Sequence, residues 1–362
     1  GIAVAYMLAA LDDDSLLHPA LECLFTAQEE VGLIGAAAFD GSKIHARRMV
    51  NMDCGGEGTV TVSCAGGMRV DLSREVTRVP FAGQALRIFV TGLAGGHSGG
   101  QIDKYLGNAN RILGRVLAAI PEANLVRVSG GSKDNAIPRE AEAVVAVACR
   151  DCAAKAVHAM EETIRAELGS ADAAFRIVTE AVEESADMMS AEDSRRIWGL
   201  LCLAPNGVFA MSHSIPGLVD ASSNMGVVTT EGDTVTVTFS PRASMESLND
   251  ATEQRLRILA DAMGFAFHLT SRYPGWAYEQ VSPLRDLLCR LYKEQTGRDM
   301  VQHAIHGGLE CGLLRAKAPG MDVVAIGPDA EGAHSPDERV NIASVARTWD
   351  FVRAIIEHCA KN

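Results

Sequence analysis

Four apolar runs within the first 53 residues limit the fold most strongly. GIAVAYMLAAL reads as a helix and LECLFTA as a short strand ending abruptly at Gln28-Glu29-Glu30; GLIGAAAFD reads as a second helix, and ARRMVNMD as a second strand ending in Asp53. Helix–strand alternation with acids at the strand ends is the α/β pattern, in which ligands gather beyond the carboxyl ends of parallel strands. The glycine-rich CGGEG follows Asp53 directly.

From about residue 58 the texture changes. Short alternating runs (TVTVSC, ALRIFVTGL, NLVRVSGG) mix with helical stretches around 104–120 and 153–168. The theme repeats over 171–270 with FRIVTEAV, GVV, TVTVTFS and a polar helix over 247–263. That mixture is α+β in character. Near Tyr273-Pro274-Gly275-Trp276 the pattern returns to long helices and one buried strand, MDVVAIG, followed by the loop PDAEGAHSPDE and a last amphipathic helix near 343–359. One domain is therefore expected to be inserted into another.

Composition narrows the partners. Of 362 residues, 48% are hydrophobic and 22% charged, enough apolar material for two cores. The net charge of -13 is spread along the chain, which argues against nucleic acid or an anionic membrane and favours a small-molecule or peptide substrate. Nine cysteines at irregular spacings read as thiols in a reducing compartment. Cys149 and Cys152 form one Cys-x-x-Cys after the strand-like AVVAVAC, with no second pair to complete a zinc knuckle. No apolar run reaches the roughly 18 residues of a membrane span, so the cytoplasm is the expected location. The chain opens at Gly1 directly into a helix, and the expectation is that it begins in the middle of a fold.

Several residues carry chemistry. Past the end of a strand, a turn can aim two neighbouring carboxylates at one cavity, one onto a metal and one free to take a proton. Glu29 and Glu30 fit that geometry, although adjacent glutamates are also common on solvated surfaces. Asp53 is either a turn-former or a ligand. His334, in AHSPDE, is held between small residues and a proline; a loop histidine alone commonly faces solvent. Each of the three sites follows a strand-like segment, so all could reach one sheet edge. Carboxylate and imidazole donors suit zinc, and an unliganded glutamate beside them suits water attacking a carbonyl. His97, in GLAGGHSGG, sits among five glycines in nine residues. That segment lacks the lysine of a phosphate-binding GxxxxGK[ST] and does not fit GxGxxG, whereas a histidine on such a turn can reach a substrate oxyanion.

TAQEEVGLIGA, GLAGGHSGGQIDKYLGNAN, GGSKDNAIPRE, YPGW, IHGGLECG and GPDAEGAHSPDERV, in this order, resemble the aminoacyl-histidine dipeptidases, also called Xaa-His or cytosol non-specific dipeptidases. These belong to a large family of two-zinc peptidases that includes glutamate carboxypeptidase, peptidase T and carnosinase. The resemblance covers essentially the whole chain. It implies an α/β fold: a two-zinc aminopeptidase-like α/β/α catalytic domain, N-terminally incomplete, over 1–65 and 271–362, with an inserted α+β lid or dimerisation domain over 66–270.

The resemblance also implies roles. Glu29 matches the general base, Glu30 and His334 match ligands of one zinc, and Asp53 a ligand of the other. His97 matches the lid histidine that stabilises the oxyanion. Asn135 and Arg242 fall where similar enzymes hold the substrate's backbone carbonyl and C-terminal carboxylate, with a surface salt bridge as the bland reading of Arg242. Glu310 would pair with the substrate ammonium or brace the site, and His306 reads as structural. The expected cofactors are two Zn2+, with Co2+ or Mn2+ as substitutes, and the expected partners are a dipeptide substrate and a second copy through the lid. Similar enzymes carry a His-x-Asp and an Asp-Asn-Gly, whose histidine ligand and bridging aspartate are not in this chain. The resemblance therefore leaves two expectations open: a zinc dipeptidase, or a non-catalytic homologue that keeps peptide binding. A tripeptidase or carboxypeptidase of the same family is a third.

Overall fold

The computed structural model describes residues 1–184, 186–333 and 336–361; His334 lies outside the described residues. The chain divides into two compact units, Gly1–Gly66 with Pro274–Asn362, and Gly67–Tyr273.

In the first unit four strands form a sheet in the order Arg48–Asn51, Asp322–Ala325, Thr59–Cys64, Val301–Ile305. The outer pairings are parallel, and the central one is antiparallel through Ala325 and Thr61. Val60, Val62, Val323, Val324 and Ala325 are all buried, which is why MDVVAIG is a near-continuous apolar run. Helix Pro283–Thr296 starts where the sequence says a helix should: Ser282 caps it by accepting from the Arg285 N–H at 3.1 Å, and Pro283 occupies the first turn. Asp322 fixes this start to the sheet, accepting from the Ser282 hydroxyl at 2.6 Å and the Leu284 N–H at 2.8 Å. Helices Ile2–Asp12 and Ile342–Lys361 meet through Tyr6, whose ring stacks on Trp349 at 5.7 Å and whose hydroxyl donates to the Val345 carbonyl at 2.7 Å.

The strand expected over LECLFTA is absent. A β-strand exists only where a neighbour completes its ladder, and no described strand pairs with this segment. Its side chains are correspondingly exposed or half-buried, Phe25 by 46%.

The second unit is built on nine strands. Eight follow the order Arg176–Ala181, Gln84–Thr91, Ala141–Val147, Asn124–Gly130, Val219–Glu231, Thr234–Ala243, Gly66–Glu75, Ala266–Tyr273, and Gly207–Met211 also pairs with Val219–Glu231. Period-two alternation sends Leu86, Ile88, Val90, Val235, Val237 and Phe239 to one face, where they share a core with helices Ala109–Ala118, Arg150–Glu167, Ala191–Leu203 and Glu246–Met263. Each large side chain buried there contributes about 1.5–3 kcal/mol of transfer free energy. The central strand Val219–Glu231 departs from this logic, because Asp220, Ser222, Ser223 and Asn224 are buried although polar. Among the described residues no helix is long and apolar enough to cross a membrane.

Candidate catalytic site

In the first unit Glu29 and Glu30 sit in a tight turn, not at the end of a paired strand. The Ala27 carbonyl accepts from the Gly35 N–H at 2.9 Å and the Gln28 carbonyl from Ile34 at 3.2 Å, while the Glu29 carbonyl accepts from Gly32 at 3.1 Å and Leu33 at 2.9 Å. A Cβ on Gly35 would lie 2.3 Å from the Ala27 oxygen, so this close approach requires glycine. Gln28 and Leu33 take left-handed φ values of 59° and 60°. A non-glycine residue there costs on the order of 1–3 kcal/mol, strain of a kind that clusters at functional segments. Glu29 is half-buried and Glu30 exposed.

Thr26, at the head of this turn, donates its hydroxyl to Glu310 Oε2 at 2.8 Å. Glu310 is the first residue of helix Glu310–Lys317, buried, with Oε1 bonded to none of the described residues. Burial raises its pKa above the usual carboxyl range; the Thr26 bond opposes that rise and the Asp53 charge adds to it. His306, four residues earlier, is buried. Asp53 is exposed just beyond strand Arg48–Asn51, its N–H donating to Asn51 Oδ1 at 2.8 Å. The loop after strand Asp322–Ala325 runs beside it. Gly327 is so close that a Cβ would lie 1.6 Å from the Cys54 carbonyl oxygen, and the Gly56 N–H donates to Pro328 at 3.0 Å. Parallel strands thus deliver Asp53 and the start of PDAEGAHSPDE to one sheet edge.

Whether these residues suit a divalent cation can be tested on their donor chemistry. A buried carboxyl with one unbonded oxygen, raised in part by the charge of Asp53, is a donor that a cation would stabilise. In kind, the oxygen donors Glu30, Asp53 and Glu310 fit. In number they do not close a site: among the described residues no three His, Cys, Asp or Glu side chains converge on one point.

In the second unit, His97 and Asn135 are tied together. Gly96–His97 pairs with Ala136–Ile137, and the Asn135 carbonyl accepts from the Ser98 N–H at 2.9 Å. His97 Nδ1 accepts from the backbone N–H groups of Gly99 at 3.2 Å and Gly100 at 3.1 Å, which assigns the proton of the neutral ring to Nε2. The glycines of GGHSGG therefore set a tautomer as well as a turn. Asn135 is exposed, and Asn224 holds the peptides on both sides of it, donating Nδ2 to the carbonyls of Asp134 and Ala136, each at 2.8 Å. Asn224 Oδ1 accepts in turn from buried Asn108 at 3.3 Å.

Arg242 lies opposite Ser222 on the central strands and is only 9% exposed, so it is no surface residue. Its Nη1 donates to the Tyr273 hydroxyl at 3.1 Å; among the described residues its Nε is buried without a partner and it forms no ion pair. A buried guanidinium with spare donors is suited to an incoming carboxylate. Sequence reasoning missed Thr26, Asn224 and Tyr273. Thr26 stands in TAQEE and Tyr273 in YPGW, beside the residues that were singled out, and the polar run ASSN inside an otherwise apolar strand was the available signal for Asn224.

The chain as a whole is similar to known proteins. The cytosol non-specific dipeptidase of Escherichia coli (strain K12) is 35% identical over 366 residues, covering 99% of this chain and 75% of that protein. The crystal structure of aminoacylhistidine dipeptidase from Vibrio alginolyticus superposes with a TM-score of 0.92 at 34% identity, covering 98% of this chain and 74% of that one. A tripeptidase from Staphylococcus aureus subsp. aureus Mu50 shares the fold at a TM-score of 0.50 and 14% identity, covering 100% of this chain and 70% of that one. The α/β fold expected from the sequence is thus the one observed. The sequence model of peptidase family M20/M25/M40 matches residues 1–358. With the glutamate turn, the sheet edge at Asp53 and the buried Arg242 in place, the match identifies the chain as a member of peptidase family M20/M25/M40.

Proposed function

We propose that this chain is a metal-dependent, cytoplasmic dipeptidase that hydrolyses unblocked dipeptides of the Xaa-His or a broader class, with Glu29 as general base. The observation that carries the substrate assignment is Arg242, buried, without a carboxylate partner among the described residues, and with an unbonded Nε donor. Such a group recognises the free C-terminal carboxylate of a short peptide.

Family membership implies a divalent metal. Glu30 and His334 would hold one zinc and Asp53 a second, with Co2+ or Mn2+ as substitutes, and the bound metal would polarise the scissile carbonyl and acidify the attacking water. The chain's own groups do the rest. Glu29 takes the proton of the attacking water and passes it to the leaving amine. His97 donates its Nε2 proton to the developing oxyanion, and Asn135 holds the substrate carbonyl. Glu310 braces the Thr26–Glu30 segment through its Oε2 bond, leaving its other oxygen as a candidate for the substrate ammonium. A second copy is expected to pair through the lid unit.

The test is hydrolysis of Ala-His and related dipeptides with zinc or cobalt supplied. Glu29→Gln should lower kcat by about 10²–10⁴-fold, the usual contribution of a general base, and excess chelator should abolish turnover. Activity that survives both treatments would end this reading.

A further inference from the structure

Cys149-x-x-Cys152 has no part in the reaction above, yet its chemistry is distinctive. Cys149 follows strand Ala141–Val147 and is the N-cap of helix Arg150–Glu167, its Sγ accepting from the Cys152 N–H at 3.2 Å. The two sulfurs are joined in a disulfide, with the Cα atoms 5.3 Å apart. Both residues are exposed, whereas the other seven cysteines are buried or half-buried. Burial raises the thiol pKa of Cys23, Cys54, Cys64, Cys202, Cys289 and Cys311, which makes them poor nucleophiles.

The turn is also held independently of the S–S bond. Arg150, between the two cysteines, donates its N–H to Gln84 Oε1 at 3.1 Å, its Nε to the Ala85 carbonyl at 2.8 Å and its Nη2 to the Val182 carbonyl at 3.2 Å. An opened pair would therefore stay within closing distance.

We propose that Cys149 and Cys152 form a reversible dithiol–disulfide site that exchanges with small thiols and disulfides of the glutathione class. In reduction, a small thiolate attacks Cys152 Sγ and the S–S bond breaks. Cys149 leaves as the thiolate because the helix N-terminus and the Cys152 N–H stabilise it there. A second small thiol then displaces Cys152 and departs in a small disulfide, so two thiols are oxidised as the protein pair gains two electrons and two protons. Oxidation runs the same steps backwards: Cys152 Sγ attacks the small disulfide and releases one small thiolate, and the Cys149 thiolate then displaces the second from Cys152 Sγ.

The test equilibrates the whole protein across graded ratios of reduced to oxidised glutathione, quenches it with acid, alkylates the thiols in denaturant so that buried cysteines also react, and reads each cysteine by peptide mass. The pair is expected to pass between two alkyl groups and none in one reversible step, with the other seven cysteines alkylated throughout. In Cys149→Ser, the glutathione adduct on Cys152 should exceed that on Cys149 in Cys152→Ser by about tenfold at the same ratio, since the thiolate that the helix N-terminus stabilises is the better leaving group. A pair alkylated at every ratio, a disulfide that resists excess reduced glutathione, or equal adducts on the two variants would each overturn the proposal.

Discussion

Arg242 donates to the Tyr273 hydroxyl at 3.1 Å, and among the described residues this is the one hydrogen bond fixing a guanidinium that is otherwise buried beside Ser222. A lone tether of this kind orients the fork without using up its remaining donors. If Arg242 takes the substrate carboxylate, Tyr273→Phe should raise KM for free dipeptides by up to about tenfold, the equivalent of one hydrogen bond of ~0.5–1.5 kcal/mol, with kcat nearly unchanged. Steady-state kinetics on Ala-His against its C-terminal amide checks this: the amide should show no such change. An equal rise for both substrates would place the effect elsewhere.

Asn224 acts on Asn135 from behind, through the carbonyls of Asp134 and Ala136. Asn224→Ala frees both peptides and the adjoining His97 strand, whose register partner is Ala136. Because a displacement of about 1 Å at a site can cost roughly 10²-fold in rate, kcat should fall by about 10–100-fold while metal content stays at the wild-type level. Unchanged kcat would mean that the Asn135 loop keeps its shape without this support.

The Thr26–Glu310 bond spans 284 residues of sequence and joins the glutamate turn to the helix Glu310–Lys317. Thr26→Val removes the donor and leaves a buried carboxyl with neither oxygen bonded, a loss of about 1–3 kcal/mol. Urea unfolding should show that loss, and Thr26→Ser should recover most of it. Once Glu310→Gln is in place, adding Thr26→Val should cost little more. Additive effects of the two substitutions would show that the contact is not energetically coupled.

Much of this arrangement was legible in the sequence because it rests on local rules. The period-two runs ALRIFVTGL and TVTVTFS became the strands Gln84–Thr91 and Thr234–Ala243, and Ser282-Pro283 began a helix. LECLFTA failed for a non-local reason: its composition favours a strand, but strand structure depends on a neighbour that the composition of a segment cannot reveal. The supports of the candidate site were hidden in the same way. Asn224 and Thr26 look unremarkable where they stand, and each acquires meaning only from a partner 88 or more residues away. His97 is intermediate. Its glycines announced an open turn, but the tautomer follows from how Gly99 and Gly100 fold back onto Nδ1.

Asp193 supplies the clearest dependence of stability on pH. It is buried at the start of helix Ala191–Leu203, where it accepts from the Ser190 hydroxyl at 2.7 Å, the Thr77 N–H at 2.9 Å and Arg74 Nε at 2.7 Å. Burial alone would raise its pKa, but the bonds from Ser190, Thr77 and Arg74 together outweigh it and hold the carboxyl below its ordinary value. A carboxyl depressed on folding contributes stability that is fully present above its unfolded pKa of about 3.9, and that contribution is lost as the pH falls through the lower folded value. Removing one partner of a buried pair costs about 3–5 kcal/mol, so Asp193→Ala should lose that much at pH 7, and the gap from wild type should narrow as the pH drops below about 4, where the unfolded carboxyl begins to protonate. Urea denaturation at stepped pH values, followed by a probe in the nine-stranded unit, measures the gap directly. A gap that stays constant down to strongly acid pH would show that Asp193 contributes by packing and neutral hydrogen bonding, with no contribution from its charge.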